Sequence, residues 1–383
     1  MPAPTYDIAI LGSGPVGCVL ALSLARHAPD PRRIALMGPA PATRQPGQSI
    51  DPRALALNHG SQHILQHLGA WPALAAEILT VHVSQAGHLG RTLIDQAELA
   101  APRLGSVVAY DDLLDTLQAA VQTSGITRIL EHPPRPLAGR PVTLALAEGP
   151  VHSRLALISD GARPKGLQRQ YQQSAVLATI RASRPAVGRA FERFTRTGPL
   201  ALLPHPAGPD LYSLVWCIHP QQAQKLAALP DAAFDQALQQ AFGQRLGSLQ
   251  RLGPANTFPL SLHVGPSLQG QGIVAVGNAA QTMHPVAGQG LNLGLRDAMQ
   301  LAHTLQPWLT APEQDAQPLL AQFARARRLD RGLTISITDT LPRLFATENP
   351  LIRHACGLGL LALDLIPALR KPLARHLLQG QRL

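Results

Sequence analysis

The residues whose types and spacing could do chemistry lie in two glycine-rich segments. The first is Gly12-Ser13-Gly14-Pro15-Val16-Gly17. Gly12 permits a tight turn, Gly14 lets the backbone approach a pyrophosphate, and Gly17 allows close packing of helix on strand, with the helix N-terminus offering N–H groups to the anion. The second runs from Gly277 through Asn278 and Pro285 to Gly288-Gln289-Gly290-Leu291-Asn292. It too reads as a strand, a Pro/Gly loop and a helix start. Two such anion-facing helix ends in one chain suit one extended ligand better than two small ones. No Ser/His/Asp nucleophile and no metal-ligand spacing is visible, and His284 alone reads as a loop-packing residue rather than a ligand.

The elements that must position these segments are legible. Residues 6–11 form a mostly apolar strand, and Val16, Leu20 and Leu24 recur at helical spacing just after the first glycine turn. A second strand over residues 33–37 should end in an acid that holds a ribose; Gly38 stands there, followed by Pro39. Residues 272–276 form the apolar strand before the second loop. The chain of 383 residues is 45% hydrophobic and 15% charged, which excludes disorder and gives room for two domains. Cys18, Cys217 and Cys356 have no framework spacing and read as reduced thiols. Residues 1–5 carry no basic leader, so a signal peptide is not expected. The net charge of +10 suits phosphates or anionic lipid, but without basic runs interleaved with aromatics no nucleic-acid partner is expected.

The segment from Gly277 to Asp297, together with Asp51-Pro52-Arg53, Ser159-Asp160-Gly161-Ala162-Arg163 and Ala190-Phe191-Glu192-Arg193-Phe194, resembles the single-component FAD-dependent aromatic monooxygenases. Within them it is most similar to the 2-polyprenyl-6-methoxyphenol hydroxylases of ubiquinone biosynthesis. The wider class carries Asp and His where Asn278 and Gln281 stand, whereas Gly-Asn-Ala-Ala-Gln is similar to that hydroxylase subgroup. The resemblance implies an α/β fold: a Rossmann-like FAD-binding domain (1–75, 100–165 and 262–340), an inserted β-rich substrate domain (76–99 and 166–261) and a C-terminal helical segment (341–383).

It further implies FAD and NAD(P)H as cofactors, with O2 adding to the reduced flavin and a C4a-hydroperoxide passing one oxygen to an electron-rich prenylated phenol. Asn278 would lie beside the ribityl and pyrophosphate groups. Pro285, Gly288, Gln289 and Gly290 would lie against the flavin ring, and the Leu291 and Asn292 N–H groups would face its N1/O2 edge. Arg53 would sit near the pyrophosphate and the nicotinamide path, and Asp160 with Gly161 would brace the FAD region. Residues 200–203 and 214–216 alternate as one face of a substrate sheet would.

Leucines 351, 358, 361, 365 and 369 lie among Arg353, Arg370, Lys371 and Arg375 in the tail. We favour helices packed on the FAD domain; the other reading is a basic surface touching the membrane that holds a polyprenyl substrate. The expected location is cytoplasmic, peripheral at the inner membrane face, with a ubiquinone-biosynthesis complex as partner. Two alternatives stay open: a hydroxylase of the same fold acting on another aromatic ring, and a non-catalytic scaffold.

Overall fold

The computed structural model describes residues 3–41, 51–87, 90–161, 166–347 and 349–379. Of the motif residues quoted above, Ala162 and Arg163 lie outside them. A seven-stranded sheet has at its centre Tyr6–Leu11 flanked by Ile34–Met37 and Gly149–Ile158, all parallel. Ile273–Ala275 extends it on one side and Thr127–Ile129 on the other, also in parallel. The central strands are buried on both faces, which is why residues 8–11 and 34–37 read as unbroken apolar runs instead of alternating. Pro15–Ala25 packs on this sheet as a helix with nearly every residue buried, and it starts with Pro at its first position, where the missing N–H costs nothing.

An eight-stranded, mostly antiparallel sheet stands beside it. Its long strands Leu167–Ala182, Gly208–Ile218 and Leu249–Val264 pair side by side, and Thr80–Gln85 joins Arg189–Phe194 in parallel. Alternation divides this sheet between two neighbours. Leu200, Leu202, Leu214 and Trp216 pack in a core with Phe234 and Phe242 of the helix Asp231–Phe242, while Ala201, Leu203 and Val215 face a cavity. A three-stranded sheet (Ala54–Asn58, Gly105–Ala109, Ala76–Ile78) closes one side.

Two of the expected boundaries differ from the structure. Ala76–Ile78 pairs with Gly105–Ala109 and so belongs to the small sheet, not to the substrate sheet. The helix Gln317–Phe345 runs unbroken through the expected division at 340/341, because Pro342 sits in its last turn and does not end it; the tail helices are Pro350–Leu365 and Pro367–Gln379.

Candidate functional site

A cavity of about 1140 Å³ opens at the carboxyl ends of the parallel strands and extends across to the antiparallel sheet. That is where an open α/β sheet binds ligands, and the volume exceeds the usual range of roughly 300–1,000 Å³ for small-molecule sites. Of the residues expected at the site, Gly12, Gly14, Arg53, Asp160, Gly161 and Asn278 line it, as do Pro285 and the residues 288–292. Gly17 and Gly277 do not. Both sit behind the wall: a Cβ on Gly17 would overlap the Gly12 carbonyl, and one on Gly277 would press on Val16 at 3.1 Å.

Gly12 has φ +124, and a Cβ there would come 2.7–2.9 Å from the backbone of Ser159 and Asp160. This glycine therefore lets the first and third parallel strands end side by side. Gly14 is the N-cap of Pro15–Ala25, with no side-chain cap, and nothing lies within 4 Å of where its Cβ would be. The helix start thus presents bare backbone to open space, which suits a diphosphate. The missing acid at Gly38 has a steric reason: a Cβ at Gly38 would run into the side chain and backbone nitrogen of Ser13. Ser13 lines the cavity at that point and puts a hydroxyl near the place where a carboxylate is usual.

The second helix, Gln289–Leu305, also lacks a side-chain cap; its N-cap Gly288 is left-handed at φ 60, and Gly290, like Gly14, has nothing within 4 Å of its would-be Cβ. The bounds of this helix leave Leu291 among the first-turn N–H groups without an intrahelical partner. They place the Asn292 N–H one residue further in, within the helix's own ladder. Asn292 acts differently from the expectation: its side-chain amide donates to the carbonyls of Ala56 (2.9 Å) and Gly288 (2.7 Å) and accepts from the Asn58 N–H (2.9 Å). It clamps the loop onto Ala54–Asn58. Asn58 lines the cavity and caps the helix His59–His67 through its side-chain oxygen, while its buried Nδ2 has no hydrogen-bond partner.

His284, buried beside Pro285, accepts from the Val286 N–H at Nδ1 and faces the Gln173 amide oxygen 3.1 Å from Nε2. These contacts fit the neutral Nε2–H tautomer, and burial pushes its pKa down to about 4. Arg53 donates to Asp51, with Nη2 2.5 Å from Oδ2, and lies over the Tyr110 ring 4.1 Å from its centroid. Burial works to raise the Asp51 pKa, but the Arg53 hydrogen bonds outweigh it and hold the carboxyl below its ordinary value. Arg53 is therefore a fixed guanidinium in the cavity wall.

Behind the second helix lies a buried ionic cluster. Arg296 meets Asp330 (3.1 Å), Arg327 meets both Asp330 (2.6 Å) and Asp297 (2.7 Å), and Gln281 donates to Asp297 (2.7 Å). Burial alone would raise the Asp330 pKa; its two arginines more than reverse this and keep it ionised. The cluster ties Gln317–Phe345 to the loop-bearing helix. Sequence reasoning missed it together with the Asn58–Asn292 clamp; the only signal was the unexplained Arg327 and Asp330 three residues apart.

The far end of the cavity is apolar. Val81, Val83, Leu203, Val215 and Phe258 come from the antiparallel sheet, and Phe345, Leu360 and Leu373 from the long helix and the tail. The donor set fits FAD. Two uncapped helix starts and an orphaned amide lie at the polar end, two glycines leave space where side chains would intrude, and neither helix carries an acidic residue in its first turn.

Comparison with known proteins bears on this geometry. The FAD binding domain family model matches residues 164–331. The chain is 31% identical to the ubiquinone hydroxylase UbiL of Rhodospirillum rubrum over 97% of this chain and 89% of that one. It is 30% identical to the 3-demethoxyubiquinol 3-hydroxylase of Escherichia coli, over 97% and 98% respectively. Among solved structures, p-nitrophenol 4-monooxygenase PnpA of Pseudomonas putida superposes with a TM-score of 0.77 over the full length of both chains at 15% identity, a likeness of fold alone.

Proposed function

The chain belongs to the FAD-dependent monooxygenase family that contains the ubiquinone hydroxylases, and from that membership we propose that it hydroxylates the ring of a 2-polyprenyl-6-methoxyphenol, with NAD(P)H and O2, in ubiquinone biosynthesis. The observation that carries the reading is the polarity of the main cavity: bare helix starts at one end, an apolar wall reaching into the helical tail at the other. A prenylated phenol needs both a flavin and a long apolar berth.

FAD, bound and reduced by NAD(P)H, supplies the oxygen-activating chemistry. The protein's part is placement. Gly12, Gly14 and the first turn of Pro15–Ala25 would receive the diphosphate. Asp160, Gly161 and Asn278 would flank the ribityl chain, where the Asn278 amide can donate as well as accept. The segment from Pro285 to Gly290 would lie against the flavin ring, and the first-turn N–H groups, Leu291 included, would stabilise negative charge on its edge. Arg53, fixed by Asp51 and Tyr110, would guide the anionic nicotinamide cofactor. The apolar wall would berth the phenol away from water.

The tail supports a further part of the reading, a peripheral stay at the inner face of a membrane, on the cytoplasmic side, beside other enzymes of the pathway. Leu351, Leu358 and Leu365 are 78, 66 and 70% exposed along one face, with Arg353 on the same helix and Lys371 and Arg375 on the next. Among the described residues no single helix is long and apolar enough to cross a bilayer; the two tail helices meet at a 95° bend. A bent pair lying in the interface fits that shape.

Mass spectrometry of quinone precursors in cells lacking this protein tests the proposal. A polyprenyl-methoxyphenol should accumulate and ubiquinone fall, with rescue by the wild type and none by Gly290→Trp, whose side chain would enter the open space at the helix start. Equal rescue by Gly290→Trp would make the protein a scaffold, and unchanged ubiquinone would remove the pathway assignment.

A further inference from the structure

A second compartment, of about 270 Å³, lies behind the main cavity. The rings of Phe194 and Phe345 stack with centroids 3.9 Å apart and line both spaces, so this pair is the partition between them. Three elements meet there. Gln85 ends the strand Thr80–Gln85, Arg196 follows the strand Arg189–Phe194, and Arg353 lies in the first turn of Pro350–Leu365.

Gln85 is only 4% exposed, yet neither its amide oxygen nor its amide nitrogen has a hydrogen-bond partner. Buried amides with both ends unpaired are rare, because each end has given up water for nothing. Arg196 and Arg353 bring two positive charges to the same space, and among the described residues no acidic side chain lines it and neither arginine has a carboxylate partner. The neighbouring Thr195 hydroxyl is already engaged with the Gly198 carbonyl and Thr197. The long helix ends at this compartment, and its carbonyl end opposes an anion, but about half a charge does not offset two guanidinium groups.

We propose that this compartment is a binding site for a phosphate-class oxyanion, held by Arg196 and Arg353 and completed by the Gln85 amide. Guanidinium groups match phosphate oxygens in pairs. The unpaired amide asks for a ligand that offers both an acceptor oxygen and a hydroxyl. Hydrogen phosphate does so, and so does a phosphoglycerol lipid headgroup. Leu351 and Ile352, exposed next to Arg353, suit the second source as well as the first. The site does not rest on the hydroxylation reading, since none of its three polar residues lines the main cavity.

The test uses the full chain with FAD bound. Equilibrium dialysis against radiolabelled inorganic phosphate at constant ionic strength is run beside flotation with phosphatidylcholine vesicles, with and without phosphatidylglycerol. Saturable phosphate binding is expected, weakened about tenfold or more by Arg196→Gln or Arg353→Gln and also reduced by Gln85→Leu, with circular dichroism and bound flavin unchanged. Flotation that needs phosphatidylglycerol and is lost in the double arginine variant identifies a headgroup; phosphate binding with flotation indifferent to phosphatidylglycerol identifies the free ion. Absence of both, or survival of either in the folded double variant, overturns the proposal.

Discussion

Two helices, Pro15–Ala25 and Gln289–Leu305, begin at one cavity, and neither carries a side-chain cap. Their support differs. The first is apolar almost throughout, and its start is an extended glycine held by close packing of Gly12 and Gly17 between strands. The second starts at a left-handed glycine, leans on His284, is clamped by Asn292 and is anchored from behind by two arginines and two aspartates. A diphosphate cradle needs only backbone at the right spacing. A loop that must lie flat against a ring needs its register fixed, and polar side chains from distant elements supply that.

The largest expected effect breaks the second support. Asp330→Asn leaves Arg296 without its counter-charge and Arg327 with Asp297 alone, and should cost about 3–5 kcal/mol in chemical denaturation. No polar substitution in the first helix should approach this; Ser23→Ala, which removes a bond to the Val19 carbonyl, should cost about 1 kcal/mol. Glycines should rank the other way. Gly12→Ala, with its Cβ against the Asp160 backbone, should cost about 3 kcal/mol or more, whereas Gly288→Ala, at an accessible left-handed φ, should cost about 1–2 kcal/mol.

Acid separates the two regions again. His284 has a folded pKa of about 4 against an ordinary 6.5, so the unfolded chain takes the proton first. Its contribution is complete above the unfolded value and is lost as pH falls from 6.5 towards 4, by on the order of 2–3 kcal/mol. His284→Gln should flatten that part of the stability profile, leaving the share of His82, also shifted to about 4 by burial in the antiparallel sheet. Asn292→Ala should cost about 2 kcal/mol and lower kcat about tenfold or more through loop misplacement, with KM for NAD(P)H little changed.

The smallest effect concerns the ribose position. Gly38→Asp should not improve FAD retention, because Ser13 fills the space; adding Ser13→Gly should recover only part of any loss, since the backbone nitrogen of residue 13 still lies 2.9 Å from the new Cβ. Ultrafiltration of the flavin from the wild type and the two variants checks this.

The same contrast explains what was legible in the sequence. Gly12, Gly14 and Gly288 announce themselves because backbone chemistry demands glycine at fixed offsets. Gly38 announced a gap, but only the fold shows that Ser13 causes it. The Asn292 clamp was hidden because its partners Asn58 and Ala56 lie 234 and 236 positions earlier in the chain. Arg327 and Asp330 lie three apart on one helix, and only the fold brings Arg296 and Asp297 beside them. For the apolar wall, alternation along residues 200–203 predicted a two-faced strand correctly; it could not say which face meets the cavity, since both are apolar.

The central claim is that one FAD spans both helix starts. Titration of the apo-protein with FAD and with ADP, followed by intrinsic fluorescence, tests it most directly. FAD should bind far more tightly than ADP, Gly14→Val should weaken both ligands, and Gly290→Trp should weaken FAD while leaving ADP unchanged. Equal affinity for FAD and ADP, or a Gly290→Trp variant that binds FAD as the wild type does, would contradict it.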